Sequence, residues 1–259
     1  MNLGIERRNA LVCASSQGLG LACATALARE GAIVCINGRD ERRLQEAASR
    51  IESQVGRRVT ILCADLTQAD SRARVIDACG DVDILVNNNA GPAPGVLEDW
   101  DYSALIRGYE QNMVPAALLI RAAIPGMRQR KFGRIVNITS AMVKAPHPLM
   151  ALSASARAAL TAFCKALSHE VAADNVTLNN LLPERIDTDR QRFMAERIMK
   201  QEGVDREEAR RRIVATISAR RFGTPEEFGD ACAFLCSAQA GYISGQNLQL
   251  DGGSYAGLA

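Results

Sequence analysis

Residues Gly133–Leu167 read GRIVNITSAMVKAPHPLMALSASARAALTAFCKAL and hold a strand, a loop and a long helix in close succession. The apolar run Arg134–Ile138 predicts a strand, and Ser140 follows shortly after its end. Two prolines mark the loop, and a helix is predicted from about Ser153. A continuous apolar strand of this kind is typical of a parallel sheet that is covered by helices on both faces.

Strand-like and helix-like stretches alternate along the rest of the chain. This alternation predicts βαβ units and therefore a single-domain α/β fold, a doubly wound parallel sheet with helices on both faces. The stretch Tyr102–Arg130 reads as one long helix or two joined ones, because Pro115 and Pro125 bend or break it. The other predicted strands are Ala10–Cys13, Ile33–Asn37, Val59–Ala64, Ile84–Asn87, Val176–Leu182 and Asn247–Leu250, and the other predicted helices are Leu19–Glu30 and Glu41–Val55.

The bulk composition is that of an ordinary globular protein. Of the 259 residues, 47% are apolar and 23% charged, and a net charge of +2 is too small to indicate a nucleic-acid partner. Arg7 and Arg8 precede an uncharged run, but serines and glycines interrupt that run, so neither a secretion signal nor a membrane span is predicted. The eight cysteines are scattered, and we expect free thiols in a cytoplasmic protein and no metal site.

A glycine-containing turn follows the first predicted strand, with the sequence Cys-Ala-Ser-Ser-Gln-Gly-Leu-Gly over residues 13–20. Gly18 and Gly20 let the backbone come close to a pyrophosphate group, which the positive end of the following helix attracts. The turn therefore predicts a dinucleotide site near the start of the chain.

The tip of the second predicted strand bears on which dinucleotide binds. An acidic residue at this position would bind the ribose diol of NAD, but the chain has Asn37 and Gly38, followed by Arg39. A guanidinium group there can bind a 2′-phosphate, and Ser15 can add a hydroxyl contact, so NADP(H) is favoured over NAD(H). The alternative is that Arg39 covers the sheet edge and binds no ligand.

These segments resemble the short-chain dehydrogenase/reductase family over nearly the whole chain, which implies a Rossmann-like fold. The turn is similar to that family's Thr-Gly-x-x-x-Gly-x-Gly motif, with Ala14 in place of the first glycine. Asn87–Gly91 resembles its Asn-Asn-Ala-Gly motif, and the simplest alignment puts the adenosine contact at Asn87. In a later segment that resembles the Pro-Gly-x-x-x-Thr loop, Glu184 replaces the glycine. The resemblance implies cofactor contacts at Ala14, Ser15, Ser16, Gln17, Gly18, Leu19, Asp65, Leu66, Asn87, Ala90, Arg157, Pro183, Ile186 and Thr188, beside Arg39.

The same resemblance assigns the catalytic positions. Ser140 would hydrogen-bond the substrate carbonyl, and Asn112 would hold a water of the proton relay. The tyrosine and lysine of the family's Tyr-x-x-x-Lys pair fall at Ser153 and Arg157. An aliphatic hydroxyl is a much weaker acid than a phenol, and an arginine with its usual pKa above about 12 does not release a proton. Arg157 can still bind the nicotinamide ribose or stabilise a negative oxygen.

Three routes remain open for the missing proton. Lys144, in the loop after Ser140, has an ordinary pKa of about 10.4, close to that of tyrosine, and His147 is a second candidate. A water held by Ser153 and Arg157 is the second route. The third is that the site binds ligand without redox chemistry. Lys144 and His147 can also be no more than solvated loop residues.

The leading hypothesis is an NADP(H)-dependent carbonyl reductase with an atypical proton donor. A 3-oxoacyl thioester is the first substrate to consider, because the pattern is similar to 3-oxoacyl-carrier-protein reductases. A nucleotide-binding or regulatory protein without turnover is the alternative; a lyase or dehalogenase-like use of the fold is weaker, because such relatives keep the tyrosine. A basic group can meet an acidic carrier protein or be a solvated helix end, and its members are Arg128, Arg130, Lys131 and Arg134.

Two further expectations concern the surface. The charged segment Asp187–Arg221 predicts an amphipathic helix pair, and it can also serve as a lid over the substrate. The chain is expected to form a homotetramer or dimer through the central helix region and the C-terminal segment. The side chains of the helix pair that are predicted to face inward are Phe193, Ile198, Met199, Ile213 and Ile217.

Overall fold

Seven strands form one parallel sheet in the computed structural model, which describes residues 2–258. The strands are β1 (Asn9–Val12), β2 (Ile33–Gly38), β3 (Thr60–Cys63), β4 (Ile84–Asn87), β5 (Gly133–Ile138), β6 (Val176–Pro183) and β7 (Asn247–Leu250). Their order across the sheet is β3-β2-β1-β4-β5-β6-β7, and every neighbouring pair is parallel. The predicted doubly wound parallel α/β fold is confirmed.

Nine α-helices lie among the described residues, and none of them is long and apolar enough to cross a membrane. They are α1 (Gly18–Arg29), α2 (Glu41–Val55), α3 (Ala69–Cys79), α4 (Tyr102–Asn112), α5 (Val114–Gln129), α6 (Ala151–Val171), α7 (Asp189–Glu202), α8 (Arg206–Ala215) and α9 (Pro225–Leu235).

Most predicted elements are present with shifts of one or two residues at their ends. The stretch Tyr102–Arg130 is two helices. The helix is interrupted at Met113, and Pro115 lies in the first turn of α5. A proline is tolerated there because the first N–H groups of a helix have no intrahelical partner. Pro125 lies inside α5 and does not end it. Helices α3 and α9 were not predicted.

The helices cover both faces of the sheet. On one face, α1, α2 and α9 pack into a core that includes Leu27, Leu44 and Phe228. On the other, α3, α5 and α6 pack into a core that includes Leu119 and Leu160. Burial on both sides explains why the central strands are continuously apolar.

The order of the strands places a crevice at the carboxyl edge of the sheet. From β1 the chain moves outward to β2 and β3, and then returns to β4 on the other side of β1. In open α/β sheets, the crevice at such a reversal is where ligands bind. The segments that follow β1, β4, β5 and β6 therefore lie along one edge of the sheet, at this crevice.

Helices α7 and α8 form a small separate cluster through Ala195, Ala209 and Ile213. The predicted helix pair is present, and Ile213 and Ile217 are buried as expected. The prediction for Phe193 is wrong, because half of this residue is exposed. It stacks under Arg190, its neighbour on the same helix, instead of entering the cluster. The role of these helices as a lid stays a prediction.

Close packing between α1 and α9 gives a test of the fold. A Cβ atom on Gly229 would lie 2.6 Å from the Ala22 carbonyl oxygen, so Gly229→Ala forces the two helices apart. We expect the free energy of unfolding to fall by about 1–3 kcal/mol. Gly108→Ala is the matched control, because a Cβ there meets Leu152 at an ordinary 3.8 Å and alanine is the better helix former. Equal denaturation midpoints for the two variants would contradict this packing.

Candidate active site

The turn between β1 and α1 is shaped for close approach by a ligand. Gly18 has φ of +59°, and a Cβ atom on it would meet only Thr188 Cγ2, at 4.0 Å, so the space in front of the turn is open. Gly20 is the opposite case, because a Cβ there would lie 2.4 Å from the Ala14 carbonyl oxygen. Ala14 itself has φ of +44°, a conformation that favours glycine, which is the residue that the resemblance predicts at this position.

Ser15 is placed differently from the prediction. Its side chain is fully buried, and its hydroxyl donates to the Val12 carbonyl at 2.7 Å and accepts from the Asn37 amide at 3.0 Å. The hydroxyl therefore ties the turn to the end of β2 and does not face the crevice, so the predicted hydroxyl contact with a phosphate is not found. Its neighbours in the turn remain accessible: Ser16 and Leu19 are half-buried, and Gln17 is exposed.

Arg39 lies exposed at the end of β2, close enough to Asp65 to act on its carboxylate. The pKa of Asp65 is lowered chiefly by the hydrogen bond from the Thr67 backbone N–H, and the positive charge of Arg39 lowers it further. Arg39 is thus available at the tip of the second strand, as predicted, and Leu66, which follows Asp65, is buried.

The asparagines after β4 correct the predicted alignment by one residue. The Asn87 side chain is buried in the sheet and donates to Asn137, so it does not face the crevice. Asn88 takes that position instead: its amide donates to the Ala14 carbonyl at 3.1 Å and so contacts the glycine turn. An ungapped match of Asn-Asn-Ala-Gly to residues 88–91 would have identified Asn88. Ala90 is exposed at the crevice.

The Arg157 guanidinium is the most heavily bonded group of the site. Nη1 donates to the carbonyls of Ile138 at 2.8 Å and Thr139 at 3.0 Å, and Nη2 donates to the carbonyl of Asn89 at 3.3 Å. Nε donates to Ser153 Oγ at 3.2 Å. Burial lowers the pKa of Arg157 to about 10, so the group is still charged at neutral pH. Arg157 therefore holds the ends of β4 and β5 and the start of α6 together.

Three candidate catalytic atoms meet beside Gly91. From the place where a Cβ of this residue would stand, Ser153 Oγ is 3.2 Å away, Arg157 Nη2 3.5 Å and Asn112 Oδ1 3.9 Å. Any larger residue would crowd these groups, so the glycine is a condition of their convergence. Gly91 was not singled out as a site residue in the sequence.

Ser140 and Lys144 lie on the next loop. Ser140 is half-buried at the end of β5, and its Oγ accepts from the Met142 amide at 3.2 Å. Lys144 is half-buried four residues later, and its Nζ lies 5.3 Å from the centre of the Tyr255 ring. This cation–π contact brings the C-terminal segment against the loop. His147 is exposed on the same loop.

A half-buried carboxylate stands just after β6. Glu184 is half-buried, and its Oε1 is 3.1 Å from Arg185 Nε. Burial raises the pKa of Glu184, and Asp251 at the end of β7 raises it further. Arg185 and His147 act in the opposite direction and lower the pKa of Glu184. Charged and titratable groups of three neighbouring strand ends therefore act on one another at this side of the crevice.

The remaining predicted contacts follow β6. Pro183 is half-buried, and Ile186 is buried and pairs with Gly223 in a short parallel bridge. Thr188 precedes α7 and faces Gly18 across the crevice. The nicotinamide contacts assigned to these residues stay predictions.

The basic group proposed for a carrier protein does not lie near this site. Arg134 is buried and donates to the Ser237 carbonyl at 2.9 Å. Arg128 and Lys131 pair with Asp174, and Arg130 pairs with Asp81 and Asp83. All four lie near the amino end of β5, on the edge of the sheet opposite to the crevice. Docking of a carrier protein on this group stays a prediction.

The chain is similar to known reductases. A family model described as enoyl-(acyl carrier protein) reductase matches residues 13–255. The NADPH-dependent reductase BacG of Bacillus subtilis is 32% identical over 255 residues, which span 96% of this chain and 98% of BacG. The 3-oxoacyl-(acyl-carrier-protein) reductase FabG of Vibrio harveyi is 29% identical over 257 residues, 98% and 99% of the two chains.

The chain is also similar in structure to a reductase of known structure. L-sorbose reductase from Gluconobacter frateurii, in complex with NADPH and L-sorbose, superposes with a TM-score of 0.94 at 30% identity, and the match covers 100% of both chains.

The bonds of Arg157 give a test of the site. Arg157→Lys keeps the charge, but one ammonium group cannot reach three carbonyls and Ser153 together. We expect the free energy of unfolding to fall by about 2–4 kcal/mol, because carbonyls that were bonded become buried without a partner. The exposed Arg121 on α5 supplies the control, since Arg121→Lys should change stability by less than about 0.5 kcal/mol. Equal urea midpoints would show that Arg157 does not hold the strand ends.

Proposed function

Because the chain belongs to the short-chain dehydrogenase/reductase family, we propose that it is an NADPH-dependent reductase that adds hydride to a carbonyl carbon. The observation that carries this proposal is the convergence of Ser153, Arg157 and Asn112 beside Gly91, next to Ser140 and at the crevice that follows the glycine turn.

The residues around the turn fit the cofactor. The open space in front of Gly18, the amino end of α1 and the exposed Arg39 suit a diphosphate and a 2′-phosphate, both of which are anionic. Ala14, Asn88, Ala90 and Thr188 would flank the rest of the molecule. NADPH, when bound, supplies the hydride.

The chain's own groups would polarise the carbonyl. The hydroxyl of Ser140 can donate to the substrate oxygen. Ser153 Oγ accepts a hydrogen bond from Arg157 Nε. The hydroxyl proton of Ser153 therefore stays free and can also be donated to the substrate oxygen. The guanidinium charge stabilises the negative oxygen that develops as hydride arrives.

Lys144 is the proton donor that we propose in place of the missing phenol. It follows Ser140 on the same loop, is half-buried, and is held over the Tyr255 ring rather than loose in solvent. Its ammonium group can pass one proton to the oxygen and be reprotonated from water. Because Arg157 is already bonded to three carbonyls and to Ser153, a proton relay through it is less favourable.

The proposal extends to the substrate, the cellular location and the oligomeric state. The name of the relative FabG gives a 3-oxoacyl group on an acyl carrier protein as its substrate. A 3-oxoacyl thioester is therefore the first substrate to test. Small ketones come next, since the basic residues near β5 lie on the edge of the sheet opposite to the crevice. We propose a cytoplasmic homotetramer or dimer, with contacts through the exposed apolar residues Tyr102, Leu105 and Ile106 on α4 and Tyr242 and Leu258 near the C-terminus.

A second candidate function is nucleotide binding without turnover. It is favoured by the bonds of Arg157, which commit the guanidinium to the protein itself. Mixing the protein with NADPH and a panel of ketones and 3-oxoacyl thioesters, while following NADPH absorbance and binding, separates the two functions. Oxidation of NADPH supports the reductase, and binding without oxidation across the panel supports the alternative.

Arg39 tests the cofactor assignment. Arg39→Ala should raise the Kd for NADPH by about 10–100-fold, because a charged hydrogen bond to the 2′-phosphate is lost. The Kd for NADH should change little. Arg42→Ala removes an exposed arginine that pairs with Glu46 on the same helix and serves as the control. Equal losses for both cofactors in fluorescence titrations would remove Arg39 from phosphate recognition.

Lys144 tests the proton donor. Lys144→Met should lower kcat by about 10²–10⁴-fold and leave the Kd for NADPH nearly unchanged. Lys144→Arg is the sharper variant, since it keeps the positive charge but does not release a proton. His147→Gln examines the second candidate on the same loop. Retained turnover in both Lys144 variants would take this residue out of the mechanism.

A further inference from the structure

The segment that follows β7 lies against the loop that carries Lys144. Lys144 Nζ is 5.3 Å from the centre of the Tyr255 ring. An ammonium group is attracted to an aromatic face within about 6 Å of the ring centre. Both residues are half-buried. A lysine has a flexible four-carbon stem, so its ammonium group keeps one position only where a neighbour holds it.

A tight turn fixes the backbone that carries this ring. The Asp251 carboxylate is buried and accepts from the backbone amides of Gly253 and Tyr255, both at 2.9 Å. Gly252 and Gly253 have φ of +63° and +76°, a left-handed course that glycine adopts without strain. The backbone position of Tyr255 is therefore set by its own turn and does not depend on Lys144.

The turn is also bonded to the segment that follows α8. The Ala219 amide donates to the Gly252 carbonyl at 2.9 Å, and the Ser218 amide donates to Ser254 Oγ at 3.3 Å. A Cβ atom on Gly252 would lie 3.0 Å from Ala219 Cβ, so the two backbones are in close contact. Two elements, β7 and the segment after α8, thus support the Tyr255 ring.

The hydroxyl end of Tyr255 lies against the chain that follows it. A Cβ atom on Gly257 would lie 2.5 Å from Tyr255 Oη, so the backbone at Gly257 packs directly on the phenol edge. Lys144, by contrast, stands over the ring. The aromatic face, and not the hydroxyl group, is therefore the part of Tyr255 that acts on Lys144.

We propose that Tyr255 is a positioning residue, whose ring holds the Lys144 ammonium group for proton transfer at the crevice. The inference rests on the proposed function, in which Lys144 supplies the proton. A proton donor must come within hydrogen-bond reach of the substrate oxygen, and a lysine that samples many rotamers is in reach for only part of the time. An aromatic face suits this role because it attracts the cation, whereas a carboxylate would form a charged hydrogen bond that competes with the substrate oxygen.

Steady-state kinetics of NADPH oxidation with a ketone test this role. Tyr255→Leu removes the ring and should lower kcat by about 3–30-fold, the size expected for a lost cation–π contact. The KM for the ketone and the Kd for NADPH should change little, because Tyr255 acts only through Lys144. Tyr255→Phe keeps the ring and should restore most of the lost kcat. Phe234→Leu is the matched control, because it removes a partly exposed aromatic ring on α9 and should leave kcat unchanged.

A double-mutant cycle shows whether Tyr255 acts through Lys144. In the Lys144→Met background the ring has no ammonium group to hold, so Tyr255→Leu should lower kcat no further. An equal loss of kcat from Tyr255→Leu with and without Lys144 would overturn the inference. So would a Tyr255→Leu variant that keeps the kcat of the wild type.

NMR measures the contact itself, without turnover. The ε-methylene protons of Lys144 should be shifted upfield by the ring in the wild type and in Tyr255→Phe, and the shift should disappear in Tyr255→Leu. If Tyr255→Leu does not fold, Tyr255→Met replaces it in each comparison. The absence of this shift in a wild type that oxidises NADPH would overturn the inference. A wild type that shows the shift but oxidises no NADPH with any ketone or 3-oxoacyl thioester would instead contradict the proposed function.

Discussion

A single guanidinium group joins the carboxyl ends of β4 and β5 to the start of α6. Arg157 reaches from α6 to carbonyls of the segments that follow β4 and β5, and it binds Ser153 on its own helix. These carbonyls come at strand ends, where the regular ladder of hydrogen bonds stops and the groups must find other partners. Its bonds help to position the segments that carry Asn89 and Ser140.

The bonds of Arg157 also separate charge stabilisation from proton supply in the site. An arginine that is committed to backbone carbonyls stabilises charge but is poorly placed to move a proton. The groups that can titrate lie on the other side of the crevice, on the loop after β5 and at the ends of β6 and β7. There Lys144, His147, Glu184 and Asp251 act on one another or on Tyr255. Charge stabilisation and proton supply thus come from different elements of the fold.

Polar residues inside the sheet serve the site as well. Four asparagines stand in register on adjacent strands, each donating a side-chain hydrogen bond to the next: Asn87, Asn137, Asn180 and Asn247. A parallel sheet allows this because equivalent residues of neighbouring strands stand side by side. Ser15 has a similar role in the turn after β1, where its hydroxyl joins the turn to β2. In both cases a side chain that the sequence motifs assign to the cofactor, Ser15 or Asn87, instead bonds to the protein itself.

The sequence by itself determined the alternation of strands and helices, the parallel sheet, the glycine turn, and the positions of Arg39, Ser140, Ser153 and Arg157. Apolar runs, glycine spacing and short motifs are local properties, so they can be read along the chain. Only the tertiary structure decided where side chains point. It turned Ser15 and Asn87 inward, put Asn88 against the turn, paired the basic residues near β5, and exposed Phe193. These outcomes depend on partners distant in sequence, because a side chain satisfies its hydrogen bonds with whichever groups the packed fold brings within reach.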